Sequence, residues 1–191
     1  MALNLNLDTI LNIIGLAIAI LSPILGALLA YYNHYNYSWK KIRAAIKVLH
    51  QKLIERGVEP TVILAFAKGG LIVADLIGQQ FGNRIPICTI FTKRSLKNRE
   101  RVVEIDTSYL NLSAFKGKKI LLVDDVIQSG SSLQAIVKIL TEQYGIKRKD
   151  ITIAVLATTT SVTLIQPDVY VYEFEYGKKR PVLPWGQVPR D

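Results

Sequence analysis

The segment Ile120–Ser132 constrains the fold of this chain more than any other part of its sequence. Residues 120–123 are apolar and predict a buried strand, and two carboxylates, Asp124 and Asp125, stand at its carboxyl end. A polar loop with glycine and hydroxyl groups follows, and the apolar periodicity of Leu133–Leu140 predicts a helix. Such an arrangement directs free backbone N–H groups and the positive end of a helix dipole at one point. The segment therefore predicts a phosphate-binding loop, and because no Gly-Lys-Ser/Thr follows, it is not of the ATP-binding type.

Strands and helices alternate over the rest of the chain after residue 38. Amphipathic periodicity predicts a helix over Trp39–Glu55 that ends at Gly57, and a second helix over Leu71–Phe81. Thr92–Arg101 is charged and is expected to be a mobile loop. The further predicted strands are Thr61–Ala67, Pro86–Phe91, Ile151–Ala157 and Val169–Phe174. This alternation predicts an α/β fold, a mainly parallel sheet flanked by helices, with ligands bound beyond the carboxyl ends of the strands.

An uncharged stretch, Ile10–Tyr32, comes before this region and is long enough to cross a membrane as a helix. A cleaved signal peptide and a buried core helix are the alternatives. A signal peptide would carry basic residues ahead of its apolar part, where the only charged residue is Asp8. Residues 1–37 are therefore expected to be a membrane anchor, followed by one domain over residues 38–191.

The residues after the span indicate its orientation. Lys40, Lys41 and Arg43 follow it, and the positive-inside rule then places the C-terminal domain in the cytoplasm of a single-pass protein. An interfacial aromatic belt is expected at Tyr31, Tyr32, Tyr35, Tyr37 and Trp39.

Composition narrows the class of partner. The formal net charge of +9 favours polyanionic partners such as pyrophosphate, nucleotides, nucleic acid or anionic membrane lipid. The basic residues of the C-terminal region scatter over several loops, which argues against a nucleic-acid surface. A single cysteine, Cys88, excludes an internal disulfide.

The acidic motif, Asp124-Asp125-Val-Ile-Gln-Ser129-Gly130-Ser-Ser132, resembles the 5-phosphoribosyl 1-diphosphate (PRPP) motif of the type I phosphoribosyltransferases. A second segment, 67–70 (Ala-Lys-Gly-Gly), lies about 55 residues ahead of it and resembles the pyrophosphate loop of that family. Ser38-Trp39 and Leu183-Pro184-Trp185 are similar to segments of the short xanthine/guanine-type branch. The resemblance implies the fold of that family, with a small C-terminal hood.

The resemblance also implies a site for PRPP and Mg²⁺. Asp124 and Asp125 would be the catalytic acids that hold the ribose and the metal. Trp185 would stack on the base, with a core or interface anchor as its alternative role. The residues implied for the 5′-phosphate are Gln128, Ser129, Gly130, Ser131 and Ser132. Those implied for the pyrophosphate are Lys68, Gly69, Gly70, Lys93 and Arg94.

Three positions depart from the pattern of the purine enzymes in this branch. Those enzymes carry an aspartate, the general base, where this chain has Gln128, which has no usable pKa. They carry a lysine at the position of Thr158-Thr159 and an acid at that of Gly186. The part of the site that binds the sugar phosphates is therefore complete, and the part that recognises the base is altered.

Three functions are consistent with the sequence. The first is a membrane-anchored phosphoribosyltransferase acting on a nucleobase or similar nitrogen nucleophile. The second is a PRPP- or nucleotide-sensing domain that signals through its membrane helix, with catalysis reduced or lost. The third is a surface for nucleic acid or anionic lipid. The resemblance is compatible with a homodimer.

Overall fold

The computed structural model describes residues 7–97, 100–160, 164–175 and 181–186. The helices in these ranges are α1 Leu7–Tyr35, α2 Trp39–Glu55, α3 Gly69–Gln80 and α4 Ser131–Lys138, the last continued by a π-helical turn at Ile139–Gln143. The strands are β1 Val62–Phe66, β2 Ile87–Lys97, β3 Glu100–Asp106, β4 Ile120–Ile127, β5 Ile151–Thr159 and β6 Val169–Phe174. Short 3-10 turns lie at Leu112–Phe115, Arg148–Asp150 and Pro184–Gly186.

The strands form one six-stranded sheet in the order β3-β2-β1-β4-β5-β6. Every neighbouring pair is parallel except β2 and β3, which confirms the mainly parallel α/β sheet. From β1 the chain builds the sheet first towards β2 and β3, and then in the other direction through β4. The carboxyl ends of β1 and β4 therefore meet where the order of the strands reverses, which is where open α/β sheets bind ligands.

Two apolar layers cover the sheet. Alternate residues of β4 point to opposite faces, so that Leu121 packs towards α2 and α3 while Leu122 packs towards α4. β1 is buried along its whole length, as expected for a parallel strand covered on both faces.

Helix α2 has the predicted bounds and buries one apolar face. The hydroxyl of Ser38 caps it by accepting a hydrogen bond from the Lys41 N–H at 3.3 Å. After its end the chain turns at Gly57, whose φ of +65° favours glycine. Near that end the Lys52 ammonium donates to the carbonyl of Tyr170, at the start of β6, at 2.9 Å. The residues of the buried face are Ile42, Ala45, Ile46, Leu49 and Leu53.

The prediction of a mobile loop at Thr92–Arg101 is wrong. β2 continues to Lys97 and pairs with β3 in an antiparallel hairpin, from Phe91 opposite Asp106 to Lys97 opposite Glu100. Residues 98–99, between the two strands, lie outside the described residues. The hairpin agrees with the β-branched residues Val102, Val103 and Ile105, which favour a strand.

Helix α1 contains a 20-residue stretch, Ile10–Leu29, with a mean hydropathy of 2.3. By length and composition it is a candidate to cross a membrane, and none of it is buried against the described part of the chain. A core helix of the domain would be buried. The expectation that Tyr37 joins an aromatic belt is wrong, because its side chain is only 6% exposed and its ring lies 4.7 Å from that of Tyr172.

Candidate active site at the carboxyl edge of the sheet

The glycine turn after β1 lies directly against the acid pair at the end of β4. A Cβ atom on Gly69 would stand 1.8 Å from Oδ2 of Asp125, and one on Gly70 would stand 2.7 Å from the carbonyl oxygen of Val123. Only glycine fits at such distances. The peptide bond that precedes Lys68 is cis. Two segments that are distant in sequence thus form one site.

Backbone and side-chain donors fix the acid pair. Oδ1 of Asp124 accepts a hydrogen bond from the N–H of Asp125 at 2.9 Å. Oδ1 of Asp125 accepts from the N–H of Val126 at 2.7 Å, and its Oδ2 accepts from the indole Nε1 of Trp185 at 2.8 Å. Both acids are half-buried. Carboxylates held in this way present fixed acceptors to a ligand.

The loop after β4 carries the candidate phosphate-binding residues. Gly130 has a φ of +73°, and a Cβ there would lie 3.1 Å from the carbonyl oxygen of Ile165. The hydroxyls of Ser129 and Ser131 are 3.1 Å apart. The hydroxyl of Ser132 is buried and has no hydrogen-bond partner among the described residues. A buried hydroxyl without a protein partner at a cleft is suited to bind a ligand oxygen.

A C-terminal segment, Pro181–Gly186, closes one side of the site, and we call it the hood. Leu183 anchors it in the core with 4% of its surface exposed. Its Trp185 is half-buried, donates to Asp125 and packs against Trp39, with ring centroids 5.7 Å apart. The expected Pro-Trp segment thus reaches the acid pair. Because Trp185 and Asp125 are far apart in sequence, no sequence pattern predicted the hydrogen bond between them.

Together these parts enclose a cleft of about 370 Å³. The cleft also brings in Thr92 and Val182, which the sequence did not single out. The candidate residues that line it are Gly69, Asp124, Asp125, Ser132 and Trp185.

The other candidate residues lie outside the lining of this cleft. Lys68 and Lys93 are solvent-exposed, and the side chain of Arg94 is outside the described part of the structure. Gln128 is exposed, and its backbone carbonyl accepts a hydrogen bond from Thr159 at 2.8 Å. The rest of the loop, Ser129, Gly130 and Ser131, lies just beyond the lining.

The position where the purine enzymes carry a lysine is buried in this chain. Thr158 is 1% exposed, and its hydroxyl has no partner among the described residues. The hydroxyl of Thr159 donates its hydrogen bond to the carbonyl of Gln128. Two short neutral side chains therefore stand where a charged, flexible one would reach a base.

The donor set fits Mg²⁺ held jointly with a ligand. Mg²⁺ prefers oxygen ligands and is usually bound by one or two carboxylates together with substrate phosphates and water. Asp124 and Asp125 supply such carboxylates at the cleft. Among the described residues, no three His, Cys, Asp or Glu side chains gather into a metal cage. A phosphorylated ligand would therefore complete the coordination.

Comparison with known proteins decides the family. The family model described as "Phosphoribosyl transferase domain" matches residues 37–175. The chain belongs to this family. The crystal structure of a purine phosphoribosyltransferase from Pyrococcus horikoshii is 31% identical, covers 82% of this chain and 95% of its own, and superposes with a TM-score of 0.63.

A curated relative and a further solved structure are also similar to this chain. A xanthine-guanine phosphoribosyltransferase from Chromohalobacter salexigens is 26% identical over 116 residues, or 60% of this chain and 66% of that enzyme. This chain thus spans just under two thirds of that curated relative. A Neisseria gonorrhoeae protein whose structure holds ppGpp is 22% identical over 80% of this chain and 88% of its own, with a TM-score of 0.63, and it shares the fold.

Proposed function

We propose that this protein binds PRPP with Mg²⁺ and transfers the phosphoribosyl group to a nucleobase or similar nitrogen nucleophile, with release of pyrophosphate. The observation that carries the proposal is the convergence of the glycine turn, the acid pair and the unpartnered hydroxyl of Ser132 on one cleft. These groups suit the anionic and hydroxyl groups of one sugar phosphate. We further propose that helix α1 anchors the protein in a membrane with the domain in the cytoplasm.

Each part of the cleft has a role in this reaction. Asp124 and Asp125 accept hydrogen bonds from the ribose hydroxyls or from metal-bound water. The N–H groups of the Gln128–Ser132 loop and the hydroxyl of Ser132 donate to the 5′-phosphate. The N–H groups of Gly69 and Gly70 would bind the pyrophosphate, and the exposed Lys68 and Lys93 would supply positive charge. When bound, Mg²⁺ would neutralise charge on the leaving pyrophosphate.

The bond changes follow from these positions. The C1′–N bond forms as the C1′–O bond breaks, and pyrophosphate leaves with the electron pair. The carboxylates of Asp124 and Asp125 would stabilise the positive charge that develops on the ribose. The side chain of Gln128 cannot take the proton of the nucleophile. In the proposed reaction the acceptor loses this proton to solvent or to the departing pyrophosphate.

Calorimetric titration with PRPP, with and without Mg²⁺, tests the site. Wild type is expected to bind only with Mg²⁺. The double substitution Asp124→Asn with Asp125→Asn is expected to lower the affinity at least about tenfold, since each hydrogen bond to a charged group contributes about 1.5–3 kcal/mol. Asp75→Asn, an exposed acid of α3 bonded to Gln79, is the matched control. Equal affinity in the wild type and the double variant would refute the site.

The altered part of the site is the part that recognises the acceptor base. Because Gln128 replaces the general base and Thr158 the lysine, turnover of guanine, xanthine and hypoxanthine should be weak, although PRPP binds. A positioned acid–base group contributes about 10²–10⁴-fold, so Gln128→Asp should raise any trace purine activity. Pyrophosphate release measured with a panel of bases tests this. Rapid turnover of a 6-oxopurine by wild type would contradict it.

The second candidate is a sensor of PRPP or a nucleotide with reduced catalysis. Two observations favour it: the missing base at Gln128, and the hydrogen bond between Asp125 and the hood. The Neisseria protein of the same fold holds a nucleotide, ppGpp. Ligand binding without pyrophosphate release from any base in the panel would favour the sensor over the enzyme.

A further inference from the structure

The segment that joins α1 to the domain is bonded to the hood. The N–H of Tyr37 donates to the carbonyl of Val182 at 2.9 Å, and Asn36 forms a parallel bridge with the same residue. The ring of Tyr37 is buried against Tyr172, and the ammonium of Lys41 lies 3.8 Å from its centroid. Residues 36–39, which we call the linker, are thus a fixed part of the domain.

The hood in turn contacts the acid pair. The indole of Trp185 packs on Trp39 of the linker, and its Nε1 donates to Oδ2 of Asp125 at 2.8 Å. A continuous path of contacts therefore runs from the linker through Val182 and Trp185 to a proposed ligand-binding carboxylate.

The surroundings of Asp125 leave little room for another donor. Its Oδ1 already accepts from the N–H of Val126. The backbone of α3 lies against its Oδ2, because a Cβ on Gly69 would stand only 1.8 Å from that oxygen and 3.0 Å from Nε1 of Trp185. A ribose hydroxyl or metal-bound water that approaches Oδ2 therefore meets the indole.

We propose that Trp185 is a displaceable plug on Asp125 and that the linker holds it there. On this basis, PRPP competes with the indole for the carboxylate, and binding loosens the contacts between hood and linker. The coupling is reciprocal, so a change in the linker also alters the affinity for PRPP. The inference rests on the proposed function, since it takes PRPP as the ligand of Asp125.

Removing the plug should tighten PRPP binding. Trp185→Phe keeps an aromatic ring and removes the N–H, so the affinity of the full-length protein in detergent for PRPP and Mg²⁺ is expected to rise about tenfold, the value of one hydrogen bond to a charged group. Trp39→Phe reduces the ring packing between the linker and the indole, so it should also raise the affinity for PRPP, by a smaller factor. Titration without any base keeps the stacking role of Trp185 out of the measurement.

The reverse effect is measured at the linker. Asn36→Cys in a Cys88→Ser background gives a single thiol, whose alkylation by a maleimide should accelerate about fivefold or more at saturating PRPP, the lower range of allosteric coupling. Glu59→Cys, exposed and ahead of β1 at the opposite edge of the sheet, is the matched control and should not respond. Adding Trp185→Phe should abolish the response at residue 36.

The outcomes separate the two proposals. If wild type binds PRPP, but Trp185→Phe binds no more tightly and the thiol at residue 36 does not respond, the coupling is refuted and the proposed function stands. If wild type does not bind PRPP, both are refuted.

Discussion

Two buried hydroxyls show that the same unfavourable feature can occur with or without a role in ligand binding. Those of Ser132 and Thr158 have no hydrogen-bond partner among the described residues. An unsatisfied buried polar group costs about 1–3 kcal/mol. Ser132 lines the cleft, whereas Thr158 does not. At Ser132 this free-energy cost is removed when a ligand oxygen forms a hydrogen bond with the hydroxyl, as we propose.

We therefore expect Ser132→Ala and Thr158→Val to leave the free energy of unfolding unchanged or raise it by about 1 kcal/mol. Only Ser132→Ala should weaken PRPP binding, by about tenfold. Thermal unfolding and calorimetry on the same samples measure both effects. Equal loss of binding in the two variants would contradict a phosphate contact at Ser132.

The contact between Gly69 and Asp125 gives a second prediction. Gly69→Ala places a methyl group on Oδ2 of Asp125, so the carboxylate must move and PRPP affinity should fall at least about tenfold. Gly78→Ala is the control in the same helix, because its added methyl group would meet Ile87 at an ordinary 3.5 Å. Titration calorimetry checks both variants, and unchanged binding by Gly69→Ala would contradict the site.

Some residue contacts could be predicted from sequence and others could not. The carboxyl ends of parallel strands meet at one edge, so the proximity of the glycine turn to Asp124 followed from the predicted topology. The hydrogen bond from Trp185 to Asp125 depends on how the C-terminal segment folds back over that edge. No local pattern encodes such a return, and the contact between Tyr37 and Val182 was missed for the same reason.

At the level of elements, sequence periodicity predicted those helices and strands that bury an apolar face. Helix α2 was predicted with its observed bounds, because its apolar stripe faces the core. Strand β3 was missed, because four of its seven residues, Glu100, Arg101, Glu104 and Asp106, are charged and resemble a loop in sequence. α3 begins at Gly69, two residues earlier than predicted, since the glycine turn is itself its first turn.

The packing of α2 gives a third prediction. Leu49 is fully buried beneath the sheet, so Leu49→Ala should lower the free energy of unfolding by about 2–5 kcal/mol. Val48, the preceding residue, is 44% exposed, and Val48→Ala should change it by less than about 1 kcal/mol. Chemical denaturation measures the free energy of unfolding of both variants. Similar decreases in the two would contradict the assignment of Leu49 to the buried face of α2.

The whole molecule combines a domain with an apolar helix, α1, of which no described side chain belongs to the core. The described core residues begin at Tyr37, and the described side chains in the apolar stretch of α1 are all exposed. We therefore expect the full-length protein to remain with membranes through high-salt and carbonate washing.

Deletion of residues 1–35 should release a folded domain, whereas deletion to residue 37 should destabilise it by removing the buried Tyr37. Fractionation and thermal unfolding measure these outcomes. Full-length protein found in the soluble fraction without detergent would contradict the anchor.

Helix α2 runs opposite to the parallel strands, with Lys52 at the amino ends of the strands and Trp39 at the ligand edge. Residues 30–35 continue α1 for about 9 Å beyond its apolar stretch and residues 36–38 span at most about 10 Å, so an anchored α1 would hold the mouth of the cleft within about 20 Å of the apolar layer of the bilayer. At the surface of an anionic leaflet each negative charge on a ligand costs about 0.7 kcal/mol at −30 mV, and this cost falls off over about one Debye length, so PRPP would be depleted close to the membrane. Apparent affinity should then be weaker in anionic than in zwitterionic nanodiscs, with a difference that shrinks as salt is added, and lipid headgroups would set the ligand concentration at which the protein responds.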